Sequence, residues 1–236
     1  MKKVIAAKFL AKIFVGCALG STLAHAADVV PVLFGKNDWL FTPYEFASPA
    51  DASDTQATLQ LLEKANKLFE RKGIALALVL VPSKIRIHSE QLPDNKPLDS
   101  YTAEKYDNVY KTMRAAGVSV VNLNSAFLSS PQRTSDTPLF FRLDTHWSPT
   151  GAFLAAETVK AEIEGNPTLK AALAATPEEK YMLTWNKQKN VTRARDLVKY
   201  LPAGSASFPP EQTLSFKVAR VQASQASLLS AGENVG

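Results

Sequence analysis

The segment FFRLDTHWSPTGA, residues 140–152, says more about the fold and chemistry of this chain than any other stretch. It places Asp144 two residues before His146, and Ser148 and Pro149 follow directly. Serine is a favoured N-cap and proline suits the first helical turn, so the segment predicts a helix from Pro149 to Glu164. His146 then lies on the loop before that helix.

The spacing of Asp144 and His146 predicts a carboxylate–imidazole pair. In an extended Asp-Thr-His segment the two side chains point to the same side, so Asp144 can orient the ring through one nitrogen. The other nitrogen is then free to take a proton from a hydroxyl, which is the Asp-His half of an acyl-transfer triad. The alternative is a histidine that only caps local backbone groups, and the spacing alone favours that alternative.

The rest of the chain alternates between apolar runs and helical patterns. Helices are predicted over Thr55–Lys72 and Tyr101–Ala116, each closed by a glycine, and buried strands over Ile74–Val81 and Val118–Leu123. This β-α-β-α order predicts an α/β fold with a mainly parallel central sheet and helices on both faces. A further strand is predicted over Thr213–Gln222.

The N-terminus has the features of an export signal. Four lysines precede the apolar stretch Ile13–Leu23, and Ala24-His25-Ala26 is a small-x-small cleavage site, so residues 1–26 are predicted to be a cleaved signal peptide. The alternatives are a membrane anchor, for which the stretch is too short, and a lipoprotein signal, for which the residues before Cys17 are a poor fit. The signal therefore predicts export.

Removal of residues 1–26 changes the charge and the chemistry. The whole chain has 27 Lys and Arg against 22 Asp and Glu, but residues 27–236 have 23 against 22. The composition therefore does not favour nucleic-acid binding. The one cysteine leaves with the signal, and two remaining histidines without cysteine do not favour a zinc site. We expect no metal and no organic cofactor.

Four segments resemble the periplasmic alginate O-acetyltransferases, the AlgJ/AlgX type of SGNH hydrolase-like domain. The segment around His146 is the most specific of them. Two others depart from the family pattern, with Asp38 and Arg195 where glycine is usual. The segments are Asp144-Thr145-His146-Trp147 with Ser148–Ala152, Gly35–Phe41, Leu80–Lys84, and Asp196-Leu197 with Tyr200–Pro202.

The resemblance implies an SGNH-like three-layer α/β/α domain over residues 27–236, with its C-terminal part missing. In that family the nucleophilic serine follows the Asp-x-His by several dozen residues, which would place it beyond Gly236. Within the chain, Ser205 lies in a flexible AGSAS stretch and no Gly-x-Ser-x-Gly turn occurs. A chain that ended at Gly236 would therefore lack serine-dependent turnover.

The family resemblance gives the chain a function and a set of site residues. It implies acetyl transfer to an acidic exopolysaccharide such as alginate, with His146 as general base and Asp144 as its orienting group. A membrane-bound acetyl-donor protein and other polysaccharide export proteins are the implied partners, and the periplasm is the implied location. The alternatives are a non-catalytic polysaccharide-binding or assembly member of the same machinery, and a carbohydrate acetylesterase.

Three further residues are candidates for substrate binding. Lys84 and Arg142 could bind a uronate carboxylate or an acetyl carrier, and Trp147 could stack on a sugar face. For each of them the alternative is a structural or solvated role. His88 lies in the alternating, strand-like stretch Ile85–His88 and is interpreted as structural, and Trp39 as a core residue.

Overall fold

The computed structural model describes residues 3–6, 32–177, 179–205 and 207–221, with the backbone alone at 3–6 and 187. Short 3-10 turns at Pro43–Glu45, Pro49–Asp51, Ser89–Gln91, Pro131–Thr134 and Val198–Tyr200 join the main elements. In chain order these are β1 (Lys3–Ala6), β2 (Leu33–Phe34), β3 (Leu40–Phe41), α1 (Ala52–Arg71), β4 (Ala77–Leu80), α2 (Lys84–Ile87), α3 (Ser100–Ala115), β5 (Ser119–Asn122), α4 (Leu123–Ser129), α5 (Pro149–Gly165), α6 (Pro167–Ala174), β6 (Lys180–Val191) and β7 (Gln212–Arg220).

The three predicted long helices are present, and their ends follow local chemistry. Asp99 caps α3 by accepting a hydrogen bond from the Thr102 amide at 2.8 Å. Gly73 and Gly117 follow α1 and α3 with φ of 69° and 80°, which only glycine adopts readily. Ser148 caps α5 as predicted, since its hydroxyl accepts from the Gly151 amide.

The sheets agree with the α/β prediction only in part. Strands β4 and β5 are parallel neighbours, with Ala77 opposite Ser119 and Leu80 opposite Asn122. The other described strands form an antiparallel β2–β3 pair and an antiparallel sheet in the order β1-β6-β7. The described residues therefore contain one parallel pair and two antiparallel sheets, and the predicted large central parallel sheet is not clearly formed among them.

Two segments correct the sequence-based reading. The stretch containing His88, predicted to be strand-like, is the short helix α2, which ends at Ile87. Its apolar residues alternate over too few positions to separate one helical turn from a strand. The second difference is β6, a strand of 12 residues where no strand was predicted.

The turn between β2 and β3 explains one departure from the family pattern. Asn37 and Asp38 both have positive φ, of 52° and 62°. Asn and Asp tolerate this conformation better than other side chains that carry a Cβ. The aspartate therefore occupies a position where a glycine is free of strain.

The largest core cluster lies between the β2–β3 pair, α2, α4 and α5. It is built from aromatic and aliphatic side chains, and it includes Trp39, which is 6% exposed, in agreement with its predicted core position. Its buried members are Trp39, Phe41, Ile85, Ile87, Leu92, Val121, Leu123, Phe127, Leu139, Phe140 and Ala155. Leu139 and Phe140 belong to this cluster, so the segment 140–152 is anchored in the core at its N-terminal end.

Most of the predicted signal peptide and the apolar run Ala226–Leu229 lie outside the described residues. Among residues 32–177, 179–205 and 207–221, no helix combines the length and apolar character needed to cross a bilayer.

Candidate functional site

A tight hairpin-like loop carries Asp144 and His146. Phe140 and Trp147 form an antiparallel bridge across its base. The Phe141 amide donates to the His146 carbonyl at 3.2 Å, and the Ser148 amide donates to the Leu139 carbonyl at 2.8 Å. The loop is thus closed by backbone hydrogen bonds immediately before α5 begins.

The Ser-Pro-Thr-Gly sequence after His146 has a packing reason as well as a capping one. The Ser148 hydroxyl donates to the Pro138 carbonyl at 2.5 Å and accepts from the Gly151 amide at 3.3 Å. A Cβ on Gly151 would lie 2.2 Å from the Leu139 carbonyl oxygen. The helix can approach the loop this closely only because residue 151 is glycine.

Asp144 and His146 form the predicted pair. The Asp144 Oδ1 lies 2.7 Å from His146 Nδ1 and accepts from the His146 backbone amide at 3.0 Å. A carboxylate only accepts, so Nδ1 carries the proton and the lone pair is on Nε2. The imidazole side chain is 73% exposed and that of Asp144 6%, so the ring faces solvent above a buried carboxylate.

Hydrogen bonds keep Asp144 ionised despite its burial. Burial alone would raise its pKa, but the donated hydrogen bonds from the Asp196 amide and from His146 lower the pKa of Asp144 below its ordinary value. The Asp196 amide donates to Oδ2 at 2.8 Å. Both carboxylate oxygens are therefore held in place by donors.

Asp196 adds a second carboxylate to the site. It accepts from the Thr145 amide at 2.8 Å and from the Thr145 hydroxyl at 2.5 Å, and its Oδ2 lies 3.7 Å from His146 Nδ1. Sequence reasoning singled Asp196 out only through the family segment, in which Arg195 weakens the match. Its contact with Thr145 spans 51 positions, so no local pattern could have predicted it.

Lys84 lies beneath this loop and not on its surface. The residue is 1% exposed, and its ammonium donates to three backbone carbonyls. The prediction that Lys84 binds a substrate anion is therefore revised, because all three of its N–H groups have partners inside the protein.

Arg142 and Trp147 belong to the same loop. The Arg142 side chain is 35% exposed, with Nε 3.7 Å from Oε1 of the buried Glu211. Trp147 is half-buried and packs against the largest core cluster. Their predicted contacts with a uronate and a sugar face stay predictions.

Ligand atoms of Asp144, His146 and Asp196 lie within 4.8 Å of one another, close enough to surround a cation. However, a protonated Nδ1 that donates to Asp144 has no lone pair for a metal. The absence of a metal from the reaction stays a prediction. Among the residues that the structure describes, no hydroxyl is hydrogen-bonded to His146 Nε2.

A family model described as the SGNH hydrolase-like domain of the acetyltransferase AlgX matches residues 32–235. A probable alginate O-acetylase AlgJ of Pseudomonas syringae pv. tomato is 34% identical over 149 residues, which are 63% of this chain and 36% of that protein. A probable alginate O-acetylase AlgJ of Pseudomonas aeruginosa is 30% identical over 190 residues, 78% of this chain and 44% of that protein. The chain thus spans less than half the length of these curated relatives.

Solved structures resemble the fold. One, described as the O-acetyltransferase domain of Pseudomonas putida AlgJ, has a TM-score of 0.66 and 25% identity, covering 80% of this chain and 66% of that one. Pseudomonas aeruginosa AlgX matches with a TM-score of 0.60 at 20% identity, covering 82% of this chain and 44% of that one.

Proposed function

The chain belongs to the family of SGNH hydrolase-like domains of the acetyltransferase AlgX, and on that basis we propose that it is an exported O-acetyltransferase, or the part of one that carries the Asp-His pair. The proposed substrate is an acidic exopolysaccharide such as alginate, which the names of its relatives suggest. The proposed location is the periplasm, reached through the signal at residues 1–26. A membrane-bound acetyl-donor protein and other export proteins are the proposed partners.

The observation that carries the proposal is the 2.7 Å contact between Asp144 Oδ1 and His146 Nδ1. It places the proton of the ring on Nδ1, so that in the neutral imidazole the lone pair lies on Nε2, which a general base for acyl transfer requires. Asp144 also stabilises the imidazolium that forms when Nε2 takes a proton. Its lowered pKa keeps it ionised at neutral pH.

We propose a two-step reaction. His146 Nε2 removes the proton of a serine hydroxyl, which attacks the acetyl carbonyl of the donor, and the departing donor group takes that proton from the imidazolium. In the second step a sugar hydroxyl gives its proton to Nε2 and attacks the acetyl-serine. The acetyl group passes to the sugar, and the serine recovers the proton. The family resemblance implies the serine nucleophile, whose turn would also contribute a donor to the oxyanion hole.

The test uses the protein made from the full open reading frame, including any codons after Gly236. The protein is incubated with p-nitrophenyl acetate as acetyl donor and oligomannuronate as acceptor. Nitrophenolate release is followed by absorbance, and acetylated oligomers are identified by mass spectrometry. We expect acetylated product from the unaltered protein and from Lys160→Gln, an exposed control at the surface of α5. His146→Gln should give none.

Each of the other outcomes points to a different function. Acetate release that requires His146 but leaves the oligomers unmodified would replace transfer with an acetylesterase. Retention of oligomannuronate on the immobilised protein without turnover would favour the binding or assembly role. Equal activity of the unaltered protein and His146→Gln would remove the catalytic proposal altogether.

A further inference from the structure

The ammonium of Lys84 joins three backbone segments beneath the site. It donates to the carbonyls of Leu40 at 2.6 Å, Arg142 at 2.9 Å and Asp144 at 3.0 Å. Leu40 lies in β3, whereas Arg142 and Asp144 lie in the loop that carries the catalytic pair. The Leu40 amide also donates to the Arg142 carbonyl at 2.9 Å, so β3 and the loop are joined by both contacts.

Burial of this charge is not explained by stability. An ammonium taken out of water loses its hydration, and apolar side chains of similar volume are often at least as stabilising at such positions. Burial lowers the pKa of Lys84 to about 7, against the opposing charges of Glu45, Glu211, Asp144 and Asp196. The ammonium also lies 5.2 Å and 5.0 Å from the ring centroids of Trp39 and Phe41.

The three hydrogen bonds of Lys84 suggest another reason for burying its ammonium. Asp144 is held at two points: its carbonyl by Lys84 and its Oδ2 by the Asp196 amide. With both ends fixed, the remaining oxygen Oδ1 has one direction left, and that direction leads to His146 Nδ1.

We propose that Lys84 is a positioning residue, whose ammonium fixes the Arg142 and Asp144 carbonyls against β3 and so directs the Asp144 carboxylate at His146. Its effect on catalysis rests on the proposed acetyl transfer. Its effect on the histidine does not, because the position of the proton on the imidazole can be measured without any substrate.

The decisive experiment is ¹⁵N NMR of the protein labelled at histidine, in the unaltered form and as Lys84→Met. Methionine has a similar shape but has no charge and no donor. The ring-nitrogen shifts report which nitrogen carries the proton of the neutral imidazole, and a comparison with His146→Gln assigns the signals. We expect the Nδ1–H form in the unaltered protein and a shift towards the Nε2–H form in Lys84→Met. Lys67→Met, an exposed lysine of α1, is the matched control and should keep the Nδ1–H form.

A purely structural role would lower the unfolding temperature of Lys84→Met without changing the tautomer. That result, with the Nδ1–H form intact, overturns the proposal. If Lys84→Met does not fold, Lys84→Gln replaces it, since its shorter amide cannot reach all three carbonyls. An unchanged tautomer in a folded Lys84→Gln also overturns the proposal.

Kinetics separate this proposal from the proposed function. If the protein transfers acetyl groups, the kcat of Lys84→Met should fall about 100-fold, the usual effect of a displaced catalytic group, with KM for the acceptor little changed. A tautomer shift in a protein without transferase activity would support the positioning role and refute the function. Full activity and an unchanged tautomer in Lys84→Met would refute the positioning role and support the proposed function.

Discussion

Asp144→Asn tests the proposed catalytic pair most directly, because the substitution changes charge and donor pattern but hardly changes shape. Asp144 accepts three hydrogen bonds: two on Oδ1, from the His146 amide and Nδ1, and one on Oδ2, from the Asp196 amide. An asparagine has one acceptor oxygen and one NH₂ group. Its single oxygen therefore cannot accept from His146 and from the Asp196 amide at the same time.

Each orientation of the asparagine carries a penalty. With its oxygen towards His146, the NH₂ group opposes the Asp196 amide, and an unpaired buried donor costs about 1–3 kcal/mol of stability. With its NH₂ group towards His146, the ring must present a lone pair at Nδ1. The proton then moves to Nε2, which can no longer accept a proton from a hydroxyl.

The loss of charge sets the first part of the effect on the rate, and the following figure is an upper estimate because the imidazole is largely exposed to solvent. At a charge separation of about 4 Å and an effective dielectric constant of about 20, the carboxylate stabilises the imidazolium by about 4 kcal/mol. That energy corresponds to about a 10³-fold change in rate. The wrong tautomer brings the loss to about 10⁴-fold. Because the His146 side chain is 73% exposed, solvent screening favours the lower figure.

The assay is kcat/KM for acetyl transfer from p-nitrophenyl acetate to oligomannuronate. The matched control is Asp136→Asn, since Asp136 is an exposed aspartate paired with Lys189, and we expect it to be fully active. A loss of less than tenfold in a folded Asp144→Asn protein would show that the carboxylate does not assist the base.

The pH dependence of stability gives a second check on the same substitution. The pKa of Asp144 is lowered in the folded state, so its ionised form contributes stability above the pKa of an unfolded aspartate. That contribution is lost as the pH falls through the lower, folded pKa. The difference in unfolding free energy between the unaltered protein and Asp144→Asn should therefore shrink as the pH falls from about 5 towards about 1. Urea denaturation at several pH values measures it, and a difference that grows in acid would contradict the reasoning.

Three further predictions test other parts of the site. Asp196→Asn should lower kcat by about 10- to 100-fold, because Asp196 acts on the loop through hydrogen bonds from Thr145. Hydrogen bonds to a charged group are worth about 1.5–3 kcal/mol each. A loss of kcat as large as that of Asp144→Asn would contradict this smaller, indirect effect. Gly151→Ala should destabilise the protein by about 1–3 kcal/mol in thermal denaturation, because the added Cβ would meet the Leu139 carbonyl. Gly165→Ala is the control and should cause no loss of stability, because a Cβ at residue 165 has no neighbouring atom within 4 Å. His88→Phe should weaken the dependence of stability on pH below about 6.5. Burial lowers the pKa of His88, so the unfolded chain binds the proton more readily than the folded protein and acid favours unfolding. If the acid dependence is unchanged in His88→Phe, His88 is not its source.

The parts of the fold that the sequence predicts well are those specified by neighbouring residues. Helices α1, α3 and α5 have apolar periodicity, caps and terminal glycines or prolines within a few positions of their ends, so their bounds were predicted within about three residues. The parallel pair β4–β5 was predicted for the same reason, since each strand is a short apolar run next to a helix. The closeness of Asp144 and His146 is also local, since only one residue separates them.

The parts that the sequence does not predict depend on contacts between distant positions. Lys84 follows an apolar strand, and a lysine after a strand end is normally solvated. Its burial depends on carbonyls 44 to 60 positions away. No composition or period in one segment reveals where another segment leaves a carbonyl unpaired.

The same distinction explains how the site is built. A local motif brings Asp144 and His146 together, but a two-residue spacing permits several side-chain directions, and only one puts Oδ1 at Nδ1. The direction is chosen from outside the motif: by Lys84 at the Asp144 carbonyl and by the Asp196 amide at Oδ2. The Arg142 amide donates to Glu211 Oε1 at 2.8 Å, which fixes the loop two residues before Asp144. After Asp144 itself, the residues that most affect the tautomer of His146 are therefore expected to be the buried Lys84 and Glu211 and the partly exposed Asp196.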